Sequence, residues 1–275
     1  MAKTLVIAEP GCTHEGRKDL LVRLLETAHA CGADAWKPQW TSDAVAMCER
    51  RHIGLDHPKR AYYEHAYRWL QFPLEWHAEF RQRCHDLGLQ YACTVFLPQD
   101  VITIDPFVDA HKVASFEATD GLMRQAHETL NHQKEVWVSH GMQHEERSWN
   151  RPSWGSIRVR HFHCVSAYPA PLSELHLSVI HCVNDDESPN FDGYSDHSRH
   201  VRMGAYAVAA GAVRVETHYR LHACRPENPD YGVAFTPGEF AEYIRYIREA
   251  DLALGDPRKH IQSCEHAMLP YRVLS

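Results

Sequence analysis

No apolar run in this chain approaches the roughly 20 residues that a membrane-spanning helix needs, so no membrane partner is expected. The start, MAKTLVIAEPG, reaches Glu9 after a run too short for a secretory signal. Positive charge is not in excess: 29 Lys and Arg stand against 36 Asp and Glu, a net charge of −7 with histidines neutral. That argues against a general nucleic-acid binder and leaves room for a local basic pocket. Nine cysteines occur without one CxxC pair, and an odd number leaves no closed disulfide framework. Free thiols in a reducing cytoplasm are the expectation. Cys12, Cys93 and Cys164 read as small buried hydrophobes. Internal repeats, low-complexity tracts and interdomain linkers are also missing. What the chain does have is histidine, 22 in 275 residues, so any single histidine reads first as a surface or packing residue. Residues such as His52, His57, His65, His144 and His222 are read that way. Hydrophobic content is 44%, enough for a proper core.

Short apolar runs alternate with helical stripes along the chain. Strands are expected at Thr4–Ala8, Ala33–Gln39, Leu89–Phe96, Ala110–Ser115, Glu135–Gly141, Val159–Ser166, Asn190–Ser195 and Ala212–His218. Between them lie helical patterns at Arg17–Cys31, Pro73–Leu87, Asp120–Leu130, Leu172–Cys182, Val201–Ala210 and Pro237–Ala253. Gly32, Gly88 and Gly211 supply stop signals. The third and fifth helices are poorly marked. Strict alternation implies a parallel sheet, and eight units predict a (β/α)₈ TIM barrel built as a single domain over residues 1–275. Residues 255–275 are then a peripheral tail. The stretch Thr41–Phe72, rich in tyrosine, reads either as a lid or as a helix of aromatic packing residues.

A barrel places its chemistry where strands end on their carboxyl side. The polar residues expected there are Glu9, Glu15, Lys37, Gln39, Thr94, Lys112, Ser115, Glu117, Ser139, His140, His163, Ser166, Ser195, Asp196, His197 and His218. A lysine aimed into a barrel is costly unless paired. Lys37 and Lys112 therefore call for an anion, a phosphate or carboxylate held with help from neighbouring hydroxyls, or else for pairing with Glu9 or Glu117. His197, in GYSDHS, and His218, in VETHYR, fall on neighbouring strands roughly 5 Å apart. Two imidazoles at those tips can reach one cation such as Mn²⁺, Fe²⁺, Co²⁺ or Zn²⁺. Their spacing alone leaves a metal pair and two ordinary histidines equally open.

In order, IAEPGCTHEG, GADAWKPQ, CTVF, HKVASFE, VSHGM, HCVSAYP, GYSDHS, ETHY and NPD resemble the motif series of the N-acetylneuraminate (sialic acid) synthase family, from Ile7 to Asp230. The resemblance implies a barrel that condenses phosphoenolpyruvate with an open-chain N-acetylamino sugar or a similar aldehyde. A 3-deoxy-2-keto acid forms and inorganic phosphate is released. By position it implies phosphoenolpyruvate binding at Lys37, Gln39, Thr94, Lys112, Ser115, Ser139, Ser166 and Ser195, with the acidic Glu117 beside that ligand. It implies sugar contacts or action near the reacting carbons at Glu15, Tyr168 and Asp230. It implies a divalent metal on His197 and His218, Mn²⁺ in first place with Mg²⁺, Co²⁺ or Zn²⁺ as alternatives. It also suggests a homodimer. Glu15 is the residue expected to position or deprotonate the attacking water.

Departures from the family pattern are Thr13 for an asparagine, Val95 for a proline, Phe116 for a glycine, His140 for a small hydroxyl residue and Ser166 for an asparagine. The family's C-terminal antifreeze-like domain, which gives an arginine to the sugar's N-acetyl group, is expected to be absent, so recognition of the sugar differs, comes from another chain or is lost. Two other readings stand beside the synthase: a divergent metal-dependent aldolase or isomerase of a sugar or small aldehyde, and a non-catalytic ligand-binding barrel.

Overall fold

The alternating runs close into a ring. In the computed structural model, residues 3–130, 134–143, 154, 157–181, 191–256 and 258–273 are described. Eight parallel strands follow one another around a closed barrel in chain order. They are β1 (Leu5–Gly11), β2 (Ala35–Trp40), β3 (Gln90–Val95), β4 (Ala110–Val113), β5 (Glu135–His140), β6 (Arg158–Cys164), β7 (Gly193–Asp196) and β8 (Arg214–His218). Closure comes from β1 and β8, with Leu5 opposite Arg214 and Glu9 opposite His218. The outer helices are α1 (Lys18–Cys31), α2 (Ala44–Arg50), α3 (Arg60–Arg68), α4 (Glu75–Asp86), α5 (Pro98–Ile104), α6 (Gly121–Leu130), α7 (Met203–Ala209) and α8 (Pro237–Leu254).

The helices form for local reasons. In α1, Leu21, Leu24, Leu25 and Ala28 recur at helical spacing and are all buried, and Gly32 takes the left-handed conformation (φ +89°) that ends it. Asp43 caps α2 by accepting from the Val45 and Ala46 backbone N–H groups. At α8, Thr236 and Glu239 form a reciprocal capping box.

Three expectations are corrected. Strand one runs on to Gly11, which brings Glu9 into it. The third barrel helix is a single short element, α5. Among the described residues no α-helix follows β6 before β7: Leu172–Glu174 and Leu177–Ile180 are separate 3₁₀ turns. His176 sits at φ +45°, which interrupts any continuing helix. The expected fifth helix, His144 and Asn190 lie outside the described residues. Residues 263–271 form a 3₁₀ segment with every residue exposed.

Inside the barrel the strand period of two decides which residues share a layer. One interior layer is apolar: Ile7, Ala35, Ala92, Ala110, Trp137 and Phe162. Two residues further along the strands stand Glu9, Lys37, Thr94, Lys112, Ser139 and Cys164, with Ser195 and Glu216 on the last two strands. The Phe162 ring fills the space in front of Gly193, where an added Cβ would lie 2.7 Å from Cδ1. Gly193→Ala is therefore expected to destabilise the barrel by about 1–3 kcal/mol through overpacking against a ring with no room to retreat. Urea unfolding measures it, and an unchanged midpoint would contradict this packing.

Two buried histidines make stability depend on pH. Burial lowers His14 to about 4 and His77 to about 3. His77 Nδ1 lies 2.7 Å from the Tyr91 hydroxyl. The unfolded chain protonates these imidazoles near pH 6.5 while the folded chain keeps them neutral. Their contribution is complete above pH 6.5 and is lost as pH falls below it, at roughly 1.4 kcal/mol per pH unit for each group. Between pH 7.5 and 5.5 the two together are expected to remove about 2–3 kcal/mol. Urea midpoints at the two pH values test this, with His77→Gln showing the shallower dependence; equal slopes in both proteins would count against it.

Candidate active site

At the carboxyl ends of the strands two lysines and two carboxylates interlock. Lys37 on β2 pairs with Glu9 on β1, donates to Thr94 Oγ1 at 2.7 Å and lies 3.6 Å from Glu216. Lys112 on β4 donates to Ser139 Oγ at 2.7 Å and to Glu216 Oε1 at 2.9 Å. Ser195 Oγ donates to the same Glu216 oxygen at 3.0 Å. All four charged groups are almost completely buried. Two positive and two negative charges balance, which is how a barrel interior tolerates them. Burial pulls Lys37 down to about 7 against the attraction of Glu216. Glu216 is held below the ordinary carboxylate range: burial pushes it up, and the Lys112 and Lys37 ammoniums outweigh that.

Of the pairings considered from sequence, Lys37 with Glu9 is present. Glu117 pairs instead with Arg51, whose Nε and Nη2 donate to Glu117 Oε1 at 3.2 and 2.9 Å. The partner of Lys112 is Glu216, a carboxylate outside the expected set. It was legible: Glu216 lies two residues before His218, so the two share a face of β8.

The GYSDHS stretch divides by the same alternation. Ser195 faces the lysines. Asp196 turns outward, accepting from Tyr243 on α8 at 2.9 Å and from the Ser198 backbone N–H at 2.8 Å. His197 then faces His218, with ring centroids 5.7 Å apart. His197 Nδ1 lies 2.8 Å from the Val165 carbonyl oxygen; as the donor there, it leaves Nε2 as a lone-pair nitrogen. His218 Nδ1 is buried without a hydrogen-bond partner among the described residues. Burial pushes His197 down to about 3 and lowers His218 as well, so both rings are neutral. Tyr168 stacks on His197 at 4.4 Å.

Asp230 reaches back over β1. Its Oδ2 accepts from the Cys12 backbone N–H at 2.7 Å and lies 4.0 Å from His218 Nδ1. Gly11, at φ +53°, makes room for it: an added Cβ there would lie 2.0 Å from that oxygen.

A small cavity of about 40 Å³ is enclosed by this set, with Ser115, Ser139 and Ser195 in its wall. It shares Gln39, Ala114, Tyr168 and His218 with a cleft of about 670 Å³, which Asp230 also lines. Gln39, Thr94, Lys37, Lys112, Ser115, Ser139, Ser195, Tyr168, His197, His218 and Asp230 are thus brought together. Ser166 stands just behind, its Oγ 2.7 Å from Ser115 Oγ.

Two expected site residues stand apart. Glu15, at φ +50°, is engaged by Arg225 through 3.0 and 2.6 Å hydrogen bonds and lines neither cavity. The Arg225 partner is 59% exposed, and Glu9 and Glu216 are the carboxylates that line the smaller cavity. Glu117 lines a neighbouring cavity beside Arg51, and burial raises it above the ordinary carboxylate range against the guanidinium's pull.

The departures from the motif series are packed without disturbing this set. Thr13 Oγ1 donates to Pro10 O at 2.7 Å, Val95 is buried, and His140 Nε2 lies 2.9 Å from His161 Nδ1. Phe116 is half exposed at the cleft mouth. The tyrosine-rich stretch between β2 and α4 is neither a loose lid nor a simple packing helix: α3 carries Tyr62, Tyr63 and Tyr67 along the cleft wall. The eight described cysteines are free, and among the described residues no helix is long and apolar enough to cross a membrane.

Comparison with known proteins agrees with this architecture. The sequence profile of the NeuB family matches residues 24–259. The chain is 29% identical over 271 residues to a pseudaminic acid synthase of Campylobacter jejuni, covering 92% of this chain and 76% of that protein. It is 26% identical over 277 residues to the N-acetylneuraminate-9-phosphate synthase of Homo sapiens, covering 95% and 74%. In fold it is similar to the N-acetylneuraminic acid synthetase of Leptospira borgpetersenii, solved with citrate, with a TM-score of 0.83, 23% identity and coverage of 98% and 92%. A truncated 3-deoxy-D-arabino-heptulosonate 7-phosphate synthase of Thermotoga maritima shares the barrel at a TM-score of 0.63 and 12% identity.

Proposed function

Because the chain belongs to the NeuB family, we propose that it condenses phosphoenolpyruvate with the aldehyde of an open-chain sugar, giving a 3-deoxy-2-keto acid and inorganic phosphate. The observation that carries this reading is the Lys37–Glu9 and Lys112–Glu216 cluster, ringed by hydroxyls, at the floor of a cleft large enough for a second substrate. A phosphate and a carboxylate on one small molecule match two ammonium groups and several hydroxyl donors. An aldehyde in the cleft then lies above the anion, near Tyr168 and Asp230.

In this reading the C3 carbon of phosphoenolpyruvate attacks the aldehyde carbon and a new C–C bond forms. The aldehyde oxygen gains a proton and C2 becomes electron-poor. Water adds to C2 and loses a proton, and the bond from C2 to the phosphate oxygen then breaks, its electron pair leaving with the phosphate as the new hydroxyl gives up its remaining proton and becomes the 2-keto oxygen. Lys37, Lys112 and their hydroxyl partners hold the anion in one orientation throughout, which is the contribution of positioning. Glu9 and Glu216 are the carboxylates within the cavity that orient the water.

His197 and His218 fit a divalent cation. Two neutral imidazoles face one another, His218 Nδ1 has no hydrogen-bond partner among the described residues, and His197 Nε2 is left open by the Val165 contact. Among those residues no third His, Cys, Asp or Glu joins them, so the rest of the coordination falls to water and substrate oxygen, which suits Mn²⁺. When bound, such an ion supplies Lewis acidity toward a carbonyl oxygen.

The test is phosphate release from phosphoenolpyruvate with Mn²⁺, across N-acetylmannosamine, related amino sugars, common aldoses and small aldehydes. Release that requires an acceptor supports the synthase. Conversion of an acceptor without phosphoenolpyruvate would turn the reading to an aldolase or isomerase.

A further inference from the structure

A second cavity opens beside the cleft, and the chemistry above makes no use of it. It measures about 460 Å³ and lies between the α2–α3 segment and the turn that leads into α6. The cleft, at about 670 Å³, and this cavity share Arg51, Tyr63, Tyr67 and Phe116 in their walls. Each alone has the size of a small-molecule site.

Phe116 and Arg51 form the partition between them. The Arg51 guanidinium carbon lies 4.7 Å from the Phe116 ring centre, 5.0 Å from that of Phe96 and 5.7 Å from that of Tyr67. Glu117 fixes its other edge at 2.9 Å. Phe116 itself is 49% exposed at the rim of both cavities. Its side chain lines both cavities, with the Arg51 guanidinium over the ring.

The walls of the second cavity say what kind of molecule fits. Arg50 pairs with Asp120 and Arg51 with Glu117, so its charges cancel. The lysine cluster is balanced too; what sets this cavity apart is that no serine or threonine hydroxyl lines it, and tyrosine, histidine and phenylalanine rings stand where the cluster has Thr94, Ser115, Ser139 and Ser195. Paired charges offer both donors and acceptors, and Tyr63 and His57 add hydroxyl, ring nitrogen and aromatic faces. A neutral molecule with many hydroxyls is the match.

We infer that the second cavity receives the end of the acceptor far from its aldehyde, and that Phe116 sets how long a polyhydroxylated acceptor can pass. This rests on the synthase reading and adds the acceptor class: a neutral aldose chain that spans both cavities with its aldehyde over the lysine cluster. Substituting Phe116 by glycine joins the cavities into one groove. Placing tryptophan at His57 fills the second cavity from its outer wall.

The experiment measures kcat/KM for phosphate release with glyceraldehyde, a hexose, N-acetylmannosamine and a reducing disaccharide. Wild type, Phe116→Gly and His57→Trp are compared. The ratio of hexose to glyceraldehyde efficiency is expected to fall at least about tenfold in His57→Trp, through KM. In Phe116→Gly the ratio of disaccharide to hexose efficiency is expected to rise by a similar factor. Acceptor-dependent release with both ratios unchanged overturns this inference and leaves the synthase intact. Absence of release with every acceptor in wild type overturns both.

Discussion

Lys112→Met is expected to lower phosphate release from phosphoenolpyruvate by about 10²–10³-fold, the scale of losing one preorganised electrostatic contact to a reacting anion. It is also expected to cost stability, because Glu216 loses its 2.9 Å partner and keeps only Lys37 at 3.6 Å and Ser195. Removing one member of a buried ion pair typically costs about 3–5 kcal/mol. The two effects separate in a double-mutant cycle. Adding Glu216→Gln removes the stranded carboxylate, so Lys112→Met/Glu216→Gln is expected to unfold closer to the wild-type urea midpoint while release stays lost. A double variant that recovers both stability and turnover would mean that Lys112 serves the barrel alone. Lys112→Arg is not expected to rescue, since a forked guanidinium does not fit a point-charge position set between Ser139, Glu216 and Phe162.

His218→Ala carries the second large effect. Turnover with Mn²⁺ is expected to fall by about 10²–10³-fold, and Mn²⁺ bound per chain, read by electron paramagnetic resonance, is expected to drop with it. His197→Ala should do the same. The double variant should be little worse than either single one, because residues that act as a unit do not contribute additively. Stability is expected to change modestly, since the His218 ring gains no hydrogen bond at Nδ1 among the described residues. Unchanged Mn²⁺ binding and unchanged turnover in His218→Ala would remove the metal from the proposal.

What could be read from sequence and what could not divide along physical lines. The barrel was legible because its signals are local. Leu21, Leu24, Leu25 and Ala28 keep helical spacing, Gly32 stops the helix, and short apolar strands recur in strict alternation. The segment after β6 departs from its pattern: its apolar residues suggest a helix, while the left-handed His176 interrupts one. Among site residues, the strand-end positions converge because alternation along a strand is rigid: once Lys37 points inward, so does Gln39. Choice of charge partner is not local. Glu117 was expected beside phosphoenolpyruvate, but Arg51 arrives from the end of α2, 66 residues earlier, and takes it. Glu15 is drawn to Arg225 across 210 residues for the same reason. Glu216 is the opposite case, a residue whose side chain follows from His218 two positions on but whose partner, Lys112, lies 104 residues away.

The central claim is that a carbon–carbon bond forms between phosphoenolpyruvate and an aldehyde. Phosphoenolpyruvate labelled with ¹³C at C3 tests it most directly, incubated with Mn²⁺ and the best acceptor and followed by ¹³C NMR. The account predicts that the label moves from a vinyl to a methylene resonance whose protons couple to the proton on the former aldehyde carbon, one label per phosphate released. Label recovered as the methyl of pyruvate, with phosphate released and the acceptor unchanged, would contradict it.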